Sequence, residues 1–533
     1  MESVGKVLGI KIVEGTTEAP SSQKSIRPVG FLSFFRLFFH EKKAKEMIEY
    51  IKPPKYASAE TRMIRFMVNG KENQYVDDVI DLTQISEECL ISFRRLLSEV
   101  KLDKFASAFF ALTIRELTTL SPLRHTLPFV LAEMAKRTDM TSVNYIAKDA
   151  LKRPEEFMLF VKYYAETDPF ILDEHFQMFI EKWYVKMEPS ELVQLICEKP
   201  ILYRYSHGDA MKLGLFKFAP LPVKIVREYA INGLETVTSI YGKQPEASLI
   251  LECFREVEKI RQTTDPEHAR RQINFHHHQL SNVNAEVLKH KTVMKALLRR
   301  MPLRQLLDIL PFMEEQGFFQ RDDLFTRRVH DKLVDSSEIE HSNLQPSESY
   351  VLQQKLLFRD VPAEILSALE KQMEKALSNV PEIEVDNITV VINCFRLNDE
   401  GQAPKAAAVL ALSLKKAGRN VKIQTFEGPK LKEMREATIA TLASSIAAKS
   451  RCDSLNFLKD LAEKSTGTII IIGHSTSLSD FKEKNAKVKI VFCDLCGGQR
   501  NILKDDDNTL VTIGFNKNTC EMIFSYLVLS KFV

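Results

Sequence analysis

Apolar positions recur at helical spacing through most of the chain. Met294, Leu297, Leu298 and Met301 share one helix face, as do Leu303, Leu306, Leu307 and Leu310, and Pro302 separates the two runs. From Phe31 to about residue 333, such stretches alternate with short breaks at Pro53-Pro54, Pro122, Pro169, Pro189, Pro220, Pro222 and Pro245. This rhythm predicts stacked helical hairpins. With no strict period, a divergent HEAT-like α-solenoid accounts for it, because helix pairs must stack to bury their apolar faces. The Ser-, Glu- and Asn-rich segment from Asp335 to Ser349 reads as a surface loop. Pro362 then opens an amphipathic helix with Ile365, Leu366, Leu369, Met373 and Leu377 on its apolar face.

After Pro381 the pattern changes. Ile388–Ile392, Thr468–Ile472 and Val488–Phe492 are β-branched runs of buried-strand length, and Val421–Phe426 alternates. Ala406–Lys416 and Leu431–Ala448 are helix-periodic. Strands alternating with helices predict an α/β domain on a parallel sheet. The expected organisation is a flexible segment over residues 1–27, a helical-repeat domain over 28–360 and an α/β domain over 361–533. The chain is therefore mainly α.

A length of 533 residues is too great for one core and suits this division. The eight cysteines show no paired framework, which favours a reducing compartment and a cytoplasmic or nuclear location. The most apolar short run, Phe31–Phe39, contains Arg36 and falls well short of the ~20 residues of a membrane span. Formal net charge is only +3, so bulk charge does not advertise nucleic acid. Local charge does: Arg255 to Arg304 carries eleven Lys or Arg against five Asp or Glu, with five histidines.

Trp183-Tyr184 is followed by Tyr205-Ser206-His207-Gly208-Asp209. This block resembles the TROVE module of the Ro ribonucleoprotein autoantigen family, where a Trp-Tyr pair precedes a Trp-Ser-His-x-Asp motif at the same interval; Tyr205 replaces the second tryptophan. The resemblance continues through Ile225-Val226, Tyr229 and Gly233, then Glu256-Val257-Glu258-Lys259, Lys295-Ala296-Leu297-Leu298 and Met301-Pro302-Leu303. It implies a helical ring followed by a von Willebrand factor type A-like domain. The implied function is binding of Y-type or misfolded small non-coding RNA in cytoplasmic ribonucleoproteins, a role in RNA quality control. The family places the histidine matched by His207 on the RNA-binding surface and a basic residue at Lys212. The family's basic run before this motif is here Glu198-Lys199-Pro200-Ile201-Leu202-Tyr203-Arg204, and two further basic positions are Gln177 and Met178.

Arg270, Arg271, Lys289, Lys291, Arg299 and Arg300 are the candidates for phosphate contacts, with the His207 loop and Lys212 completing the surface. Ser206 or Asp209 is expected to cap the helix that begins there. His276-His277-His278 point in directions about 100° apart on a helix, so the run reads as a basic face, not a metal site.

In the α/β domain the resemblance places a divalent-cation loop after the first strand, but Asn393, Phe395 and Leu397 stand where that family has an aspartate and two serines. Arg451 and His474 occupy the two remaining ligand positions. An amide, two hydrocarbons, a cation and an imidazole do not make a hard-cation site, so no metal and no cofactor are expected. Gly473-His474-Ser475-Thr476-Ser477 imitates a hydrolase elbow, yet Ser477 replaces the final glycine and no histidine follows Ser475. Cys493-x-x-Cys496 has no second pair and reads as reduced cysteines. The chain is thus expected not to be an enzyme. The alternative to RNA binding is a protein-interaction scaffold, with partners reached through the C-terminal domain.

Overall fold

The computed structural model describes residues 57–73, 75–77, 86–99, 126–137, 150–165, 174–202, 205–320, 323–394 apart from 386, 402–427, 430–448, 467–473, 488–495 and 507–529, with the single positions 143, 147 and 397. These residues divide into two units.

The chain enters the described region through α1 (Ala59–Asn69), β1 (Tyr75–Asp77) and α2 (Glu87–Glu99). The helical unit begins with α3 (Thr126–Arg137), α4 (Pro154–Ala165), α5 (Glu174–Val185), α6 (Pro189–Glu198), α7 (His207–Leu213) and α8 (Leu221–Tyr241). It continues through α9 (Ser248–Gln262), α10 (Pro266–His276), α11 (Ala285–Leu288), α12 (Lys291–Leu298) and α13 (Leu303–Glu315). It ends with α14 (Asp323–Leu333), α15 (Ser336–Ser342), α16 (Pro346–Leu356) and α17 (Ala363–Ala376). Contacts run mostly between near neighbours in sequence: α3 on α4, α7 on α8, α8 on α6 and α9, α10 on α12, and α14 and α16 on α17. That is the bonding pattern of a solenoid. Met294, Leu297, Leu298, Leu303, Leu306, Leu307 and Leu310 are all buried, and Pro302 sits at the N-cap of α13, so the apolar pattern located both helices.

The α/β unit adds β2 (Ile388–Ile392), α18 (Ala403–Ala417), β3 (Val421–Glu427), β4 (Lys430–Glu433), α19 (Ile439–Ala447), β5 (Thr468–Gly473), β6 (Ile490–Asp494), β7 (Thr509–Ile513) and α20 (Thr519–Leu529). Its seven-stranded sheet has the order β1-β7-β6-β5-β2-β3-β4, with only β4 antiparallel to its neighbour. Every residue of central β5 is buried, as a strand covered on both faces requires.

Four sequence-based expectations are corrected here. Residues 57–99 belong to the α/β unit and not to the helical one: β1 pairs with edge strand β7 in the register Tyr75↔Val511, and α1 packs on α20. Fully buried Arg65 donates to Thr509 O at 3.0 Å, and Ser58 binds Asp507 Oδ1 through its amide and hydroxyl at 2.8 and 2.9 Å. Conversely α17, expected to open the α/β domain, packs against α14, α15 and α16 and closes the helical unit, so the division falls near residue 380. Asp335–Ser349 is not a loop; Asp335 caps α15, and a Gln345–Glu348 capping box starts α16. Polar cap residues imitate loop composition. The front of the Leu431–Ala448 stretch forms β4 instead of helix. Residues 1–27 lie outside the described residues. Among the described residues, no helix is long and apolar enough to cross a membrane.

Gly233 interrupts α8 with φ 82° and ψ 179°, dividing it into two helical segments. No atom lies within 4 Å of where its Cβ would stand, so a side chain there meets backbone strain and no clash. Gly233→Ala is expected to destabilise the helical unit by about 1–2 kcal/mol, the cost of placing a β-carbon in that region, read from urea unfolding.

Candidate nucleic-acid interface

The two motif segments, 23 residues apart, meet in the core. α5 carries Trp183 and Tyr184. The Trp183 ring stacks on Phe157 at 3.9 Å, and its Nε1 donates to Leu151 O at 2.9 Å. Tyr184 is fully buried, and its hydroxyl lies 2.8 Å from His207 Nδ1. Ser206 caps α7 by accepting from Asp209 N at 2.9 Å, while the Asp209 carboxylate accepts from Ser206 N at 3.4 Å and Oγ at 2.6 Å. This is the reciprocal box expected of Ser followed three residues later by an acid. Gly208 lets α7 approach α8, since a Cβ there would stand 2.3 Å from Ala230 O.

His207 is therefore a core residue. It has 0% exposure, its Nε2 has no partner, and burial holds its imidazole down at about 4, so it is neutral at physiological pH. The expectation that it sits on the RNA-contacting surface is corrected: α5, α7 and α8 cover it. Tyr229, stacked on Phe254 at 3.8 Å, donates to Glu258 at 2.6 Å, and His207, Tyr229, Glu258 and Arg261 line a cavity of about 250 Å³. Lys212 is half exposed, and its Nζ lies 3.1 Å from Asp209 Oδ1, one helical turn away.

No family model matches the sequence. The crystal structure of the Ro (RSR) protein of Deinococcus radiodurans matches with a TM-score of 0.66 and 15% identity, over 89% of this chain and all of that one. The fold is that of a Ro protein. At this identity the likeness speaks for the fold, and the chemistry must come from this chain's own residues.

On the Ro fold the segment from Arg255 to Arg304 is not one positive surface. Five of its eleven cations have carboxylates three positions earlier: Arg255–Glu252 at 3.3 Å, Lys259–Glu256 at 3.6 Å, Arg261–Glu258 at 3.2 Å, Arg270–Glu267 at 2.9 Å and Lys289–Glu286 at 2.7 Å. Lys291 lies over the Phe325 ring at 5.4 Å. Arg304 binds Glu348 at 2.6 Å. Exposed Arg271, Arg299 and Arg300 have no ion-pair partner among the described residues, and Arg271 Nε donates only to Glu267 O of its own helix, at 3.4 Å. Exposed pairs are worth under ~1 kcal/mol and exchange for phosphate, so the paired cations are weaker candidates, not excluded ones.

The histidine run also departs from a basic face. His276 Nε2 lies 3.1 Å from Glu256, His277 is the left-handed C-cap of α10, and burial holds His278 down at about 4. These histidines line a cavity of about 680 Å³ whose walls include Glu198, Glu246, Glu252 and Glu256 and no Lys or Arg. A polyanion would not enter it.

Sequence reasoning singled out Lys212 but missed the rest of the stretch that runs from α7 into α8. Residues 210–227 contain Lys212, Lys217, Lys224 and Arg227 and no acid, a local signal purer than that of 255–304. Phe218 within it is 85% exposed.

In the α/β unit, Asn393 follows β2 and its backbone N–H donates to Ile472 O at 2.8 Å; Leu397 is fully buried. A buried hydrocarbon at that position does not fit the cation loop the resemblance implies. Phe395, Arg451, His474, Ser475 and Ser477 lie outside the described residues, as does Cys496. Cys493 is buried in β6, and burial pushes its thiol up to about 12, which makes it a poor nucleophile or metal ligand.

Proposed function

We propose that this protein is a non-enzymatic RNA-binding protein of the Ro type, a component of small ribonucleoproteins that holds Y-type or misfolded small non-coding RNA. The observation that carries the reading is the Tyr184–His207 hydrogen bond: the two segments that resemble the family meet at 2.8 Å inside a Ro fold. Resemblance in sequence and proximity in space support each other, because unrelated islands would have no reason to pack together. Arg271, Arg299 and Arg300 then supply phosphate contacts, with Lys212, Arg270, Lys289 and Lys291 contributing after their present partners are displaced. His207 acts by positioning, holding Tyr184 and the start of α7. Filter binding with a small hairpin RNA that carries a 3′ single-stranded tail tests this reading.

The rival reading, a protein-interaction scaffold, draws on the glutamate-lined cavity between α6, α9 and the end of α10. Steep weakening by salt marks the RNA reading, because each neutralised phosphate releases counterions.

The cation site of the α/β unit is proposed to be lost, since Asn393 and buried Leu397 offer no carboxylate. A ligand that binds only the folded state raises its melting temperature. No shift is expected on adding millimolar magnesium or manganese; a rise abolished by Asn393→Ala contradicts this.

A further inference from the structure

We infer that the turn between α7 and α8 is a stacking platform for one unpaired nucleobase, with Phe218 as the platform and Lys217 as the phosphate partner; this rests on the RNA-binding reading above. The turn is anchored on both sides of the exposed ring. Phe216 adopts φ 47°, rare for a side chain of this bulk, and is held there by burial: its ring packs near Tyr184 at 6.0 Å, and the Arg227 guanidinium lies over it at 5.5 Å. Arg227 is fixed in turn by donating to Met211 O at 3.3 Å. On the other side Ala219 is buried and Pro220 caps α8. Between these anchors Phe218 projects with 85% of its surface in solvent, and Lys217 Nζ lies 5.4 Å from its ring centroid.

Burying this ring elsewhere would be easy for a mobile loop, but the anchored backbone prevents it. A rigid, solvent-exposed aromatic with a lysine beside it, in a stretch with four basic residues and no acid, has the elements that single-stranded RNA recognition uses: a π-face for the base and positive charge for the adjoining phosphates. Bases within a duplex are stacked on both faces and cannot be splayed onto such a ring, so the inferred ligand is the single-stranded portion of the RNA. A protein partner seeking a hydrophobic anchor would have no need of the lysines.

The test uses the full-length protein, one two-stranded RNA duplex with a 3′ tail of six nucleotides, and the same duplex without the tail, which has no unpaired base. Phe218→Ala is expected to weaken binding of the tailed RNA about tenfold with an unchanged salt slope, and to leave the blunt duplex unaffected. Phe218→Trp should retain wild-type affinity. Lys217→Ala should reduce the log–log salt slope by roughly 0.7. Wild-type affinity in Phe218→Ala, or equal losses on tailed and blunt RNA, overturns the stacking site and leaves the Ro-type reading standing. No binding of either RNA by the wild type removes both. With so exposed a ring, misfolding is no competing explanation, and the retained Phe218→Trp affinity checks it.

Discussion

Replacing His207 by alanine is expected to lower the unfolding free energy by about 3–5 kcal/mol, measured by urea unfolding at neutral pH. Its ring is fully buried, so truncation leaves a cavity of the kind that costs several kcal/mol in other cores. The Tyr184 hydroxyl also loses its 2.8 Å partner and keeps only a weak contact with the Met158 sulfur at 3.8 Å. A buried unsatisfied hydroxyl adds roughly 1–3 kcal/mol. A surface histidine would cost under ~0.5 kcal/mol, so a small effect contradicts the core assignment directly.

The same histidine gives a pH signature. Burial holds its folded imidazole at about 4, against 6.5 for an ordinary histidine. Between those values the unfolded chain binds the extra proton and the fold does not, so stability falls as pH drops through this window. By pH 5 the loss attributable to His207 should reach about 2 kcal/mol. His278, held down to about 4 by burial, adds a loss over the same range, so the useful comparison is wild type against His207→Gln. That variant should show a shallower acid decline. RNA affinity of His207→Ala should fall through the disturbed start of α7, with little change in salt slope, because a neutral buried imidazole releases no counterion.

The second large effect concerns charge. Reversing Arg271, Arg299 and Arg300 together to glutamate is expected to weaken RNA binding at ~0.1 M salt by one hundredfold or more, and to reduce the log–log slope by roughly 2 to 3, at 0.7–0.9 for each lost phosphate contact. Arg270→Glu alone should do less than Arg271→Glu alone, because Arg270 is already engaged by Glu267 at 2.9 Å. Sequence position alone would rank these two neighbours equally. Equal effects would mean that the ion pairs on α9 and α10 carry no weight in selecting contacts.

The legible part of this chain was whatever a local period encodes. The stripe from Met294 to Leu310, the helix after Pro362 and the buried run Thr468–Ile472 all form the elements their spacing predicts. What was illegible depended on distant partners. β1 is three residues long and becomes a strand only because the edge of β7 meets it, more than four hundred positions away. His207 sits in a polar motif and reads as surface, since nothing in Tyr205–Asp209 announces that Tyr184 covers it. The charge count over 255–304 misled for a different reason. Its i,i+3 acids were visible at Glu256, Glu258, Glu267 and Glu286, but a net excess conceals pairing. Phe218 was visible as an aromatic among lysines, yet only the structure shows that its neighbours Phe216 and Ala219 are buried and it is not.

The central claim, RNA binding on a Ro fold, is tested most directly by the affinity of full-length wild-type protein for a tailed hairpin RNA across a series of salt concentrations. Saturable binding at ~50 mM salt, with log affinity falling linearly against log salt at a slope of roughly −3 or steeper, is the result expected from at least four phosphate contacts. Absence of binding at the lowest salt, or an affinity that salt does not change, would contradict it and leave the scaffold reading in its place.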